Sequence, residues 1–199
     1  MGLARCRGLV TYPFTIVAAR AGNLCYFDIM TMITLQYRDL LRGGTAVHIT
    51  RALVTPARPK ALHTQDFYQL FWVQNGTIRH HRPDGVNSLS EGTVVFMRPD
   101  DHHALQGRGE QALVVSLTLH PSLIDALGKR HKSLPGQLFW AETPQVLHLE
   151  TKALIALNQA TMRLERTHLD RFSVEAFLLP LCADLLKPDS VGAAPDWLT

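Results

Sequence analysis

Two imidazoles and two amides carry the chemical interest of this chain. His63, Gln65 and Gln69 precede Gly76 in the run His63-Thr64-Gln65-Asp66-Phe67-Tyr68-Gln69, and His103 closes the segment Arg98-Pro99-Asp100-Asp101-His102-His103. In an extended chain, alternate side chains share a face, so His63, Gln65, Phe67, Gln69 and Phe71 point the same way. Imidazoles hold transition metals well, whereas uncharged amides hold them poorly. A tightly bound catalytic metal is therefore not expected; if any metal is held, His63 and His103 are its ligands. Amides among aromatic walls suit a different task, that of hydrogen-bonding a small, neutral, polar molecule such as a sugar. The expected ligand-binding set is His63, Gln65, Phe67, Gln69, Phe71, Arg98 and His103, with no catalytic residue and no cofactor. A purely structural alternative treats the glutamines and His63 as satisfied interior polar groups. Tyr68, Leu70 and Trp72 fall on the opposite face and are expected to pack under other elements.

Short strands must carry these residues. Thr45 to Val54 is rich in β-branched residues between Gly43-Gly44 and Pro56, which predicts a strand. Leu62 to Gln74 predicts a second, ending at Asn75-Gly76, a hairpin signal with Thr77 to Arg82 as the return strand. Pro83-Asp84-Gly85 marks a further tight turn, followed by strands at Val86 to Ser90, Thr93 to Met97, His102 to Gln106 and Ala112 to Leu119. Turns at such short intervals imply an antiparallel barrel or sandwich. At His120-Pro121-Ser122 the pattern turns helical, with a short helix expected to close at Gly128. Gln145 to His148 suggests an edge strand. From Glu150 the apolar positions recur at helical spacing, and a second helix is expected from about Ser173 to Leu186, with Pro180 as a kink or offset start. The apolar faces of the two helices either pack on the barrel or serve dimerisation.

Composition narrows the classes. The chain has 199 residues, 46% hydrophobic and 19% charged, with a net charge of +3. That suits one well-cored domain with a short appendage and lacks the dense basic surface of a direct nucleic-acid binder. Cys6, Cys25 and Cys182 are odd in number and far apart, so neither a disulfide framework nor a zinc site is suggested, and a reducing cytoplasm fits. Arg5, Arg7 and the apolar run that follows imitate a signal peptide weakly, but Pro13 and Arg20 interrupt it. No run reaches the length of a membrane span. Met30 or Met32 is an alternative start, since patterned sequence begins near Ile33.

The spacing His63, Gln65, Gln69, Gly76 resembles the first motif of the cupins, His-x-His followed by Glu and Gly, with both amides standing where metal-binding members have His and Glu. His103 holds the place of the second motif's His. HTQDFYQLFWVQNG, EGTVVFMRPDDHHAL and the terminal helix pair resemble the N-terminal cupin domain of AraC/XylS-type transcriptional regulators, most of all the group represented by the chitobiose-operon regulator. The resemblance spans roughly residues 41–199. It implies a mainly β, cupin-type double-stranded antiparallel β-barrel (jelly roll) followed by two or three α-helices. It further implies a barrel that binds a small-molecule effector, helices that form a homodimer, and DNA contact only through a C-terminal helix-turn-helix domain not present here, with no membrane partner. The expected organisation is an extension over 1–32, poorly ordered or spurious; a barrel over 33–120; helices over 121–188; and a linker over 189–199 leading toward the DNA-binding domain. The contrasting reading is a metal-dependent cupin enzyme, of dioxygenase or sugar isomerase type, using His63 and His103.

Overall fold

Alternation of side chains along the strands sorts the apolar residues into two cores, one on each face of a five-stranded sheet. The computed structural model describes residues 33–41, 43, 45–109 and 112–186. The expectations for residues 1–32 and 189–199 lie outside the described residues. The described ones belong to the compact unit Thr31–Thr199.

In chain order the elements are β1 (Ile33–Leu35), a single helical turn α1 (Tyr37–Leu40), β2 (Val47–Val54), β3 (His63–Gln65), β4 (Tyr68–Asn75), β5 (Thr77–Arg82) and β6 (Gly85–Ser90). There follow β7 (Thr93–Met97), β8 (Ala104–Gly107), β9 (Ala112–Leu119), α2 (Pro121–Arg130), a 3₁₀ turn (Leu138–Trp140), β10 (Gln145–His148), α3 (Thr151–Leu164) and α4 (Arg171–Leu185). The larger sheet has the order β10-β7-β4-β9-β2 and the smaller β6-β5-β8, both antiparallel, while β1 and β3 form a parallel pair. The molecule is mainly β, a jelly-roll arrangement of two antiparallel sheets with helices behind the larger one.

Phe71, Val73, Val95, Met97, Ala112 and Val114 face inward and meet Ile78 and Leu89 of the smaller sheet. Their neighbours Leu70, Trp72, Val94, Phe96, Val115 and Leu117 face the other way, against α2, the 3₁₀ turn, α3 and α4. Trp72 satisfies its indole N–H on Asn158 Oδ1 at 2.8 Å, which ties the sheet to α3. The opposite-face assignment of Tyr68, Leu70 and Trp72 therefore holds. α2 starts where expected because Pro121 occupies the first turn and His120 Nδ1 accepts from the Ser122 N–H. α4 is capped by Asp170, whose Oδ1 accepts from the Ser173 N–H at 2.8 Å.

Several local expectations are corrected. The run from Leu62 to Gln74 is two strands, β3 and β4, separated by a bend at Asp66-Phe67. The Asn75-Gly76 signal does not make a hairpin: β5 pairs with β6 and β8, not with β4. Gly76, at φ 81°, instead turns a corner from the larger sheet to the smaller, and its carbonyl accepts from Glu91 N–H. The true two-residue hairpin is Pro83-Asp84, between β5 and β6. Gly128 does not end α2 but lies inside it, where a β-carbon would clash with the indole of Trp140. Close approach, rather than helix termination, explains that glycine. Pro180 lies within α4, which begins at Arg171 rather than Ser173.

Leu157 is fully buried at the centre of the helix-side core. Leu157→Ala should cost about 2–5 kcal/mol of stability by lost transfer energy and cavity formation. Urea denaturation of wild type and variant, compared at equal m-value, measures it.

Candidate functional site

β3 is the short strand on which the site is built. Its three residues run parallel to β1, with Ile33 opposite His63 and Leu35 opposite Gln65. On its other side His63 and His103 exchange both backbone hydrogen bonds, N–H to carbonyl, at 2.9 Å each. The bend after β3 is pinned by Asp66, whose N–H donates to Leu35 O and whose Oδ1 accepts from the Tyr37 N–H at 2.6 Å. The Asp100 N–H donates to Gln65 O from the loop before His103. Backbone pairing thus brings the two histidines of widely separated segments side by side.

Their rings meet as well, with centroids 4.5 Å apart. A third imidazole joins them. His80 of β5 approaches His103 with its Nε2 3.2 Å from His103 Nδ1, ring planes perpendicular. Phe71 lies against both, stacked on His103 at 27° and edge-on to His80. His80 and His103 are each 1% exposed, while His63 is partly exposed and closes the cluster toward solvent. His80 was not among the residues expected from sequence. Its signal was strand parity: Ile78 and His80 share the face that turns toward the inner core.

The two glutamines take different partners. Gln65 is completely buried and its Nε2 donates to Phe67 O at 3.2 Å, while Gln69 Nε2 donates to Ser116 Oγ at 2.7 Å. In each, Oε1 is buried with no hydrogen-bond partner among the described residues; so are His80 Nδ1 and His103 Nε2. Native interiors rarely leave such groups unpaired, since each costs about 1–3 kcal/mol. Phe67 is buried at the bend, and Phe71 lines the inner core. Arg98 is held elsewhere: its guanidinium bonds Asp101 at 3.0 and 3.3 Å and Ala141 O at 2.9 Å. The structure therefore gathers His63, Phe71 and His103 around His80, keeps Gln65 on the same strand as His63, and gives the donors of Arg98 to a loop.

Electrostatics keep the cluster neutral. Burial pushes the His80 imidazole down to about 4, with Arg82 and His81 adding to the effect and Asp84 opposing it. Burial lowers His103 well below the ordinary range, helped by His63 and His80, and burial lowers His63 too. Arg82 is paired with Asp84 at 2.6 Å.

Among the described residues, no group of three or more His, Cys, Asp or Glu side chains is arranged to hold a metal ion. The amides at the two substituted cupin positions donate to Phe67 and Ser116. Two grooves, of about 280 Å³ beside Gly92 and His148 and about 520 Å³ beside Arg130 and Phe172, are lined by residues outside this cluster. No helix among the described residues is long and apolar enough to cross a membrane.

The family model of the AraC-like ligand binding domain matches residues 55–177. Among solved structures, a lysine-to-alanine variant of apo ToxT from Vibrio cholerae strain SCE256 superimposes with a TM-score of 0.56 at 12% identity, over 75% of this chain and 58% of that one. The unsaturated-fatty-acid-bound wild-type ToxT of the same strain gives 0.48 at 17% identity, over 73% and 55%. A cupin 2 conserved barrel domain protein from Salinispora arenicola CNS-205 gives 0.36 at 17% identity, over 44% and 75%. At these identities the likeness to ToxT is one of fold, and this chain spans 58% of the length of the first of those ToxT chains. No curated protein matches the chain significantly.

Three imidazoles held neutral by burial make stability depend on pH. Below the unfolded value of about 6.5 the unfolded chain binds protons that the folded cluster resists, so stability falls as pH falls from about 6.5 toward about 4. Each such histidine contributes a slope of up to about 1.4 kcal/mol per pH unit in that window. Melting temperatures across the window should drop steeply for wild type and less so for His80→Gln.

Proposed function

Since the chain belongs to the family of AraC-like ligand-binding domains, we propose that it is the effector-binding and dimerisation part of an AraC-type transcriptional regulator, sensing a small uncharged polar metabolite. The observation that carries the reading is the set of polar atoms on Gln65, Gln69, His80 and His103, beside Phe71, that are buried without a partner among the described residues. A purely structural interior would satisfy these atoms internally; a binding site leaves them for the ligand. Sugar-like compounds, with hydroxyls that both donate and accept, match them, and the suggested likeness to the chitobiose-operon regulator points the same way. The domain division expected from sequence, a barrel over 33–120 and helices over 121–188, belongs to this reading.

Dimerisation is proposed through α3. Ile155 and Met162, one heptad apart, are 52% and 50% exposed on the side of the helix turned away from Leu154, Leu157 and Leu164. Apolar residues so spaced form a stripe fit to meet a second copy. DNA contact would come through a helix-turn-helix domain outside these residues, in the cytoplasm. Ligand occupancy would reach that domain only if the ligand binds two arrangements with different affinity.

A thermal-shift screen of oligosaccharides and small acids tests effector binding. Some uncharged compound should raise the melting temperature of wild type, by the equivalent of about 2.7 kcal/mol at a hundredfold excess over Kd, and do less for Gln69→Ala, while the small acids should not. If none stabilises the wild type selectively, the effector reading is lost. Light scattering after size exclusion tests the dimer: wild type should run as a dimer and Ile155→Glu/Met162→Glu as a folded monomer. A wild-type monomer at all concentrations sinks that part.

A further inference from the structure

We infer that the His80–His103 pair is the ligand-reading element of the barrel, and that it admits uncharged molecules bearing both a hydrogen-bond donor and an acceptor, such as hydroxyl or primary amide groups, while rejecting ions. This rests on the effector-binding reading and deepens it.

A neutral imidazole carries one N–H, and the facing atoms, His80 Nε2 and His103 Nδ1, lie 3.2 Å apart. One of the two must donate to the other. If His103 Nδ1–H donates, His103 Nε2 is bare and the proton of His80 sits on Nδ1. If His80 Nε2–H donates, His80 Nδ1 is bare and His103 carries its proton on Nε2. Either way the two rings hold the same tautomer, and the two outer nitrogens present one donor and one acceptor.

Those outer nitrogens, His80 Nδ1 and His103 Nε2, are buried without a partner among the described residues. An anion would face a bare lone pair at one of them, and a cation an N–H at the other. Among the described residues neither finds a compensating full charge, since the charged neighbours bearing on His80 are Arg82 and Asp84, which pair with each other. The remaining neighbours are the imidazoles of His63 and His81 and the ring of Phe71. Desolvating an unpaired ion there costs far more than desolvating a neutral group. Because the shared proton can sit on either ring, the pair adapts to a ligand that offers its donor at either end. His63, partly exposed and tilted against His103 with ring centroids 4.5 Å apart, is the member of the cluster past which it would enter.

The test uses the whole chain labelled with ¹⁵N in its imidazoles, near neutral pH, with three small probes of similar size: acetamide, acetate and methylammonium. His80 and His103 should show the same tautomer without any probe. Acetamide should shift the ring nitrogens of both, and acetate and methylammonium should leave them in place. His80→Phe, checked for folding by circular dichroism, should remove the coupling that sets the His103 tautomer and so change its tautomer balance, and weaken any stabilising metabolite by about tenfold or more, with partial recovery in His80→Gln. Opposite tautomers in wild type, an acetate shift as large as that of acetamide, or no shift with any probe would each overturn the assignment. A metabolite that stabilises the wild type while leaving both rings unshifted overturns it too, yet keeps the effector reading. Rings that respond to acetamide when no metabolite stabilises the protein uphold the chemistry of the pair while the effector reading falls.

Discussion

Side-chain alternation along β4, β7 and β9 is the constraint on which the molecule depends. Each of these strands is apolar on both faces, so the sheet must be covered twice: by the smaller sheet on one side and by the helices on the other. A shift of one residue in any of the three would exchange the two cores, sending Phe71 toward the helices and Trp72 toward the smaller sheet. Trp72 could then no longer reach Asn158. The site inherits its geometry from this register, because Phe71 is the residue on which His80 and His103 rest.

Against that dry frame the polar residues of the inner face stand out. Thr93 and Thr118 are buried there, and Gln69 bonds Ser116 across from β4 to β9. The inner face of the larger sheet thus grades from aliphatic, at Val73, Val95 and Val114, to polar, at Gln69, Ser116 and the imidazoles. Burial that would be favourable for apolar groups becomes costly for these, and they are partnered only in part. Such a gradient concentrates hydrogen-bonding capacity at one end of an otherwise apolar interior, the combination expected of a pocket that orients its ligand by one end.

Legibility in the sequence followed the range of the interaction concerned. β10 could be read at its observed bounds, and so could β7 and β9, because strand character there is set by local runs of apolar residues. The cupin spacing found His63 and His103 because it encodes strand parity and a turn. What could not be read were events decided across the fold. Asn75-Gly76 has the local chemistry of a hairpin, yet the partner of β5 is chosen by which strands cover Ile78, and that is β6 and β8. Gly128 looks like a helix end until Trp140 is brought against it from the following loop. His80 sits beside His81 in a polar stretch, and only the burial of Ile78 on the same face reveals which of the two imidazoles turns inward.

The position of β3 decides how the site can speak to the rest of the chain. It is bonded on one edge to β1 and on the other to His103, so β1 and the site share one three-residue strand. On the proposed reading, displacement of His63 by a ligand must strain either the His63–His103 bridge or the pairing of β1 with β3. A net backbone hydrogen bond is worth about 1 kcal/mol, and a tenfold change in a two-state equilibrium needs only about 1.4 kcal/mol. On that reading, weakening one or two of the bonds between β1 and β3 would change the paired fraction of β1 severalfold. The larger cores are poor carriers of such a signal, because close-packed side chains would have to move together at far greater cost. A short strand with few bonds on each side, anchored at Asp66 and carrying a site imidazole, is the element of this fold whose balance a small ligand has the energy to tip.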